Sequence, residues 1–267
     1  MLKDITLGQY YPADSVIHRL DPRVKLFSTI LYIVALFLVN NIWGWLLVTA
    51  FLVAMIALSR VPFSMMLKGA RAIWVLIVIT AVCNLFFTQG EDVIFQWKAV
   101  AITGQGIHNT IYYSLRLIFL VVGTSVMTLT TSPNKLTDGM EKGFRFLAKI
   151  GVPVHEIAMM MSIALRFIPI LSEEADKIKK AQMARGADFD EGRLLKKAKS
   201  LIPVLVPLFV SAFRRANDLS LAMEARCYHG GEGRTKMKPL KYVGRDYRAY
   251  VIVFAFLAAV ILFRIFL

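Results

Sequence analysis

The chain has 267 residues, 57% of them apolar and 19% charged; 32 Lys and Arg against 18 Asp and Glu give a formal net charge of +14. An apolar share above the roughly 45–50% of soluble domains and a mean hydropathy of +0.58 exclude a disordered chain, a collagen and a disulfide-knotted miniprotein, and weigh against a soluble enzyme. The composition predicts an all-α polytopic membrane protein whose Lys and Arg excess stays on the cytoplasmic side of the bilayer, with no nucleic acid as partner.

The first 22 residues, MLKDITLGQYYPADSVIHRLDP, lack the apolar core of a cleaved signal peptide and are read as cytoplasmic. Asp21-Pro22-Arg23 predicts a helix start, with Asp21 as N-cap and Pro22 at the first helical position. The apolar block Val24 to Leu58, interrupted by Asn40-Asn41 and Gly44, predicts a helical hairpin over about 24–40 and 43–59. Ala72 to Phe87 forms a third span. The polar stretch TQGEDVIFQWK follows, then a fourth span over Gly106 to Thr131 and a fifth over Tyr247 to Leu267; a span needs about 20 residues. Arg19, Arg23, Lys25, Arg60, Lys68 and Arg71 lie on one side of these spans, and only Lys98, with Glu91 and Asp92, on the other. The positive-inside rule therefore puts the N-terminus in the cytoplasm, and five spans put the C-terminus outside. Arg264 there can snorkel to the interface. Arg116 falls inside the fourth span, as a functional candidate, a snorkelling side chain or an interhelical bond.

Residues 132–246 stand apart. They hold 21 of the 32 basic residues and 13 acidic ones, and lie between spans four and five, hence on the cytoplasmic side. The chain reads as 1–131 with four spans, 132–246 as a cytoplasmic domain and 247–267 as the last span. Two long amphipathic helices are expected, at about 154–186 and 191–228, each reaching about 50 Å at 1.5 Å per residue. GADFDEG between them has turn chemistry. Pro169, Pro203 and Pro207 bend these helices or serve as hinges. Met159, Met160, Met161, Ile163 and Ile168 are either core or an adaptable partner surface. Ala158 and Ala164 allow close helix approach, and Lys196, Lys197 and Lys199 form a solvated face near anionic headgroups.

Catalytic patterns are missing. No GxxxxGK[ST] occurs. His155-Glu156 begins a zinc-protease pattern, but Met159 stands where the second histidine belongs. Glu173-Glu174 lacks the arginine and later histidine of a glutamate membrane endopeptidase. No cofactor and no metal site is expected, and the chain reads as non-enzymatic. The two helix ends instead share a pattern: Ala184-Arg185-Gly186 in one and Ala225-Arg226-Cys227 in the other. A cation at a helix C-terminus is favourable through the helix dipole alone. Repetition at both ends, with small flanking residues and the planar fork of arginine, points to a plug for an acidic groove on a partner.

These features together resemble the transmembrane T component of energy-coupling factor (ECF) transporters over nearly the full length. LDPRVKL (Leu20 to Leu26) is similar to that family's N-terminal signature, LRFIPIL (Leu165 to Leu171) to its mid-chain motif, and the paired Ala-Arg-Gly and Ala-Arg-Cys to its two X-Arg-X motifs. Cys227 departs from the usual glycine, so the second helix is expected to end later, at Gly230. The resemblance implies a bacterial cell-membrane subunit that binds no ATP. Two ABC-type ATPase subunits, with ATP and Mg in their own sites, would each receive one arginine end. A small membrane-embedded substrate-binding S component for a vitamin or metal ion would lie on the apolar faces near Met159, Met160, Ile163 and Ile168. A conventional permease with its own substrate path is the alternative; it would need polar spans and internal repeats.

Overall fold

The computed structural model describes residues 10–88, 93–97, 100–187, 189, 199–231, 237 and 239–266. In chain order these form α1 (Pro22–Leu38), α2 (Ile42–Ser59), α3 (Phe63–Ala72), α4 (Trp74–Phe87), β1 (Val93–Trp97), β2 (Val100–Thr103), α5 (Gly104–Thr130), α6 (Pro133–Gly143), a 3-10 turn (Arg145–Ile150), α7 (Val154–Ala184), α8 (Ile202–Glu224) and α9 (Gly244–Phe266). The chain is an all-α polytopic membrane protein with one antiparallel hairpin, β1–β2, inserted between α4 and α5. That hairpin occupies part of the stretch read as polar loop; Gln89 to Asp92, with the expected Glu91-Asp92 pair, Lys98 and Ala99 lie outside the described residues.

Among the described residues four helices are long and apolar enough to cross a membrane: α2, α5, α7 and α9. Five spans were expected, and the set differs. At 17 residues α1 would reach about 26 Å, and at 14 residues α4 is shorter still, against a hydrocarbon core of about 30 Å. Helix α7, read as cytoplasmic, qualifies by length and composition because its charges cluster in its second half.

The chain divides into two compact units, residues 8–139 with 240–267, and residues 140–239. The boundary between the units falls within α6. Gly139 packs against Pro22, where a Cβ would come within 3.0 Å of the proline ring, so the front of α6 lies with α1.

In the larger unit, α1 starts as its sequence dictates. Asp21 caps the helix by accepting the Arg23 amide at 2.9 Å, and Pro22 occupies the first turn. The Arg23 guanidinium returns to both Asp21 oxygens, at 3.0 and 2.9 Å, and lies 3.8 Å over the Tyr242 ring. Asp246 is 1% exposed at the start of α9. Its carboxylate accepts the Asp21 amide at 3.0 Å and the Val243 amide at 2.8 Å, so the starts of α1 and α9 are tied by one buried acid. At the other end of α1, Arg116 of α5 donates to the Val39 carbonyl at 3.2 Å, and its guanidinium lies 4.8 Å from the Tyr112 ring. Arg116 thus makes an interhelical bond that places a cation on a helix C-terminus.

The packed centre joins Tyr32 and Leu36 of α1, Val48 and Leu52 of α2, Val122 and Val126 of α5, and Phe256 and Val260 of α9. Phe51 stacks on Phe256 at 4.1 Å. Tyr32 packs against Gly123, where a Cβ would come within 2.2 Å of the ring, and its hydroxyl donates to the Phe119 carbonyl at 3.0 Å. In a bilayer, where lipid tails are as apolar as the core, such close approach over a small residue and interhelical hydrogen bonding supply the association energy.

Candidate functional site

The smaller unit is built around α7 and α8. Glu174 of α7 holds the Arg215 guanidinium of α8 at 2.7 and 3.2 Å and accepts from the Ser211 hydroxyl. Gln182 donates to the Pro203 carbonyl at 3.3 Å. Going from Glu174 to Gln182 along α7 moves the partner backward along α8, from Ser211 to Pro203, so the two helices are antiparallel. A third contact agrees: Gly231, beyond the end of α8, sits on the His155 ring near the start of α7, and His155 Nδ1 lies 2.9 Å from Glu141 Oε1.

The two arginine ends close in the same way. At α7, the Gly186 amide donates to the Met183 carbonyl and the Ala187 amide to the Gln182 carbonyl, both at 3.0 Å, while Gly186 takes φ +87. At α8, the Cys227 amide donates to the Glu224 carbonyl at 2.9 Å and the Tyr228 amide to the Met223 carbonyl at 3.1 Å, with Cys227 at φ 53. Each is a Schellman closure, a pair of 6→1 and 5→2 bonds around one left-handed residue. Arg185 and Arg226 occupy the same position in it, one residue before the left-handed turn. The expectation that the second end continues to Gly230 is therefore corrected. The helix closes at Cys227, which adopts the glycine conformation itself, and Gly230 at φ +100 is a separate turn.

All six residues of the two motifs, Ala184, Arg185, Gly186, Ala225, Arg226 and Cys227, are exposed. Neither arginine forms an ion pair among the described residues. Because α7 and α8 are antiparallel, the two guanidinium ends lie at opposite ends of the pair. Arg185 is level with the start of α8, and the roughly 26 residues from there to Arg226 correspond to about 40 Å at 1.5 Å per residue.

The apolar candidates on α7 do not share one surface. Met159 and Ile163 fall on the i+4 ridge that begins at His155, and both are half-buried; Met160 is 58% and Ile168 41% exposed. The three prolines also separate. Pro169 lies inside α7 and Pro207 inside α8, whereas Pro203 sits in the first turn of α8. Helix α8 runs from Ile202, and residues 191–198 of the second expected helix lie outside the described residues. Lys199 and Ser200 are helical, Leu201 is a turn, and Pro203 has no N–H to continue a ladder through it. Residues 190–198, which hold part of the GADFDEG link together with Lys196 and Lys197, and Asp188 lie outside the described residues.

Sequence reasoning missed two clamps. Glu174 was weighed only as a protease acid and is instead the tie between α7 and α8. Asp246 went unremarked, although an acid in the first turn of a helix, able to reach back to a preceding amide, is a recognisable capping signal. The two cysteines, Cys83 and Cys227, are both free and exposed, and no cluster of three or more metal-ligating side chains occurs among the described residues.

Comparison with known proteins gives a consistent answer. The CbiQ family model, described as cobalt transport protein, matches residues 13–237. The energy-coupling factor transporter transmembrane protein EcfT of Clostridium kluyveri is 53% identical over 266 residues, covering 99% of this chain and 98% of that protein. The proteins of the same name from Bacillus subtilis and Lactococcus lactis are 45% identical over 263 residues and 46% identical over 245 residues, covering 98% and 92% of each chain respectively. Full-length identity at this level, together with four membrane-length apolar helices, establishes that the chain belongs to the family of energy-coupling factor transporter transmembrane proteins.

Proposed function

We propose that this chain is the non-catalytic coupling subunit of an ECF-type importer in the bacterial cell membrane. Two ABC-type ATPase subunits, which carry the ATP and Mg, each take one helix end: Arg185 in one groove and Arg226 in the other. A membrane-embedded S component for a vitamin or metal ion rests on the apolar side of α7, with Met160 and Ile168 as its exposed contacts and Met159 and Ile163 beside them. When the ATPases close on ATP, the two ends are drawn together. The antiparallel pair, tied at Glu174–Arg215, turns that approach into a tilt of the S component. Pro169 and Pro207 are the interior positions where the helices can flex; Pro203 acts as a fixed start of α8. The N-terminus and the coupling helices face the cytoplasm in this reading.

The observation that carries it is the matched geometry of the ends. Two identical caps, each presenting an exposed arginine between small residues, lie about 40 Å apart by helix rise. A single ligand site does not span that distance, but two separate subunits do.

The test is charge reversal. Arg185→Glu and Arg226→Glu are expected to weaken co-purification of the ATPase subunits by about 30-fold or more each, because truncating one partner of a buried charged contact costs roughly 2–5 kcal/mol. Membrane insertion should be unchanged. Normal assembly and transport by the double variant would show the arginine assignment to be wrong.

A further inference from the structure

Between α6 and α7 the chain makes a short apolar and basic knob. From Lys142 to Pro153 it reads KGFRFLAKIGVP, with three cations and no acid. The 3-10 turn Arg145–Ile150 ends at Gly151, whose φ is +87; its amide donates to the Ala148 carbonyl and the Val152 amide to the Leu147 carbonyl, which folds the chain sharply toward α7. That turn holds the side chains outward. Phe146 is 58% and Ile150 75% exposed, with Phe144 at 38% and Val152 at 36% beside them. The two phenylalanine rings meet edge to face at 6.4 Å, so they form a fixed wedge. Arg145 and Lys149 are exposed within it, and neither forms an ion pair among the described residues.

We infer that this knob inserts into the headgroup boundary of an anionic bilayer and fixes the start of α7 against the membrane surface. The chemistry favours lipid as the occupant. Apolar side chains that penetrate a few ångströms, flanked by cations at headgroup level, are the composition of an interfacial anchor. Two aromatic and two aliphatic side chains left in water would be an unfavourable exposed patch. An acidic protein groove would satisfy Arg145 and Lys149, yet it would not take up the apolar tip at Phe146 and Ile150. Continuity points the same way, because the knob runs directly into α7, whose first half is itself apolar. The inference stands on the membrane character of the chain and is independent of which partners the arginine ends engage.

The experiment places a spin label at residue 146 of the full chain in nanodiscs, through Phe146→Cys in a Cys83→Ser, Cys227→Ser background. Ile150→Cys serves as a second site, and a label replacing Met183 as the aqueous reference. Power saturation against oxygen and a water-soluble nickel chelate reads depth. In phosphatidylglycerol-containing discs the labels at 146 and 150 are expected to be open to oxygen and closed to nickel. With Arg145→Gln and Lys149→Gln together, the ratio of inserted to free label should fall about 30-fold, from roughly fivefold per cation at an anionic surface. Phosphatidylcholine discs should give a comparable fall. Open access to nickel at both sites in anionic discs would overturn the inference. So would insertion that ignores lipid charge. A label closed to both reagents in the assembled transporter would overturn it in favour of a protein partner.

Discussion

The left-handed residues that close α7 and α8 make the sharpest prediction. Gly186 and Cys227 hold the same place in the same hydrogen-bonded closure, at φ +87 and φ 53. An L side chain in that region costs about 1–2 kcal/mol, and glycine escapes this cost. Space is no obstacle at Gly186, since a Cβ there would meet nothing within 4 Å. Gly186→Ala should therefore cost only the conformational penalty, about 1 kcal/mol after the reduced freedom of the unfolded chain is credited to alanine. Cys227→Gly runs the other way: about 1–2 kcal/mol of relief, less about 0.4–1 kcal/mol for the added freedom of the unfolded state, a net gain of about 0.8 kcal/mol. Hydrogen exchange of the closing amides reads both. The Ala187 amide, bonded to Gln182, should exchange roughly fivefold faster in Gly186→Ala, and the Tyr228 amide, bonded to Met223, roughly fourfold slower in Cys227→Gly, if local opening follows these energies. Cys227→Ala, which keeps the left-handed strain, should leave Tyr228 unchanged. Faster exchange in Cys227→Gly, or no effect in Gly186→Ala, would refute the matched-cap geometry on which the proposed docking rests.

Three further outcomes are expected. Gly123→Ala drives a methyl into the Tyr32 ring and should lower unfolding stability by about 1–3 kcal/mol, with recovery when Tyr32→Ala is added; additive losses would exclude that contact. A double-mutant cycle on Glu174→Gln and Arg215→Gln should give a favourable coupling at low salt, reduced at high salt because Arg215 is partly exposed; zero coupling would remove this tie between α7 and α8. His18 is buried, with Nδ1 2.7 Å from the Ser15 hydroxyl and Nε2 3.0 Å from the Tyr11 carbonyl. Burial holds it below the ordinary 6.5, so the folded state favours the neutral ring. Its contribution is complete above pH 6.5 and is lost as the pH falls through the lower folded value. Proteolytic protection of residues 10–21 should therefore drop between pH 7 and 5 in the wild type and become pH-independent in His18→Asn.

Local chemistry was legible in the sequence because it depends on near neighbours. Asp21-Pro22 reads as a helix start since capping involves only residues two or three apart, and the structure has that cap. The apolar runs give α1, α2, α4, α5 and α9 because a membrane helix must satisfy its backbone within one segment. The arginine ends were visible as a repeated triplet. Their equality was not, because the sequence places glycine in one and cysteine in the other, and only the φ of Cys227 shows that the conformation is shared. Three other features depend on tertiary contact. Glu174 finds Arg215 only once α7 and α8 run antiparallel. Asp246 finds the Asp21 amide only once the last helix lies beside the first. Arg116 becomes a cap for α1 because α5 brings it to Val39, and no spacing along the chain encodes that meeting. Hydropathy and capping thus determined the helices, while the pairing of distant side chains, which decides where each arginine end stands, came from packing alone.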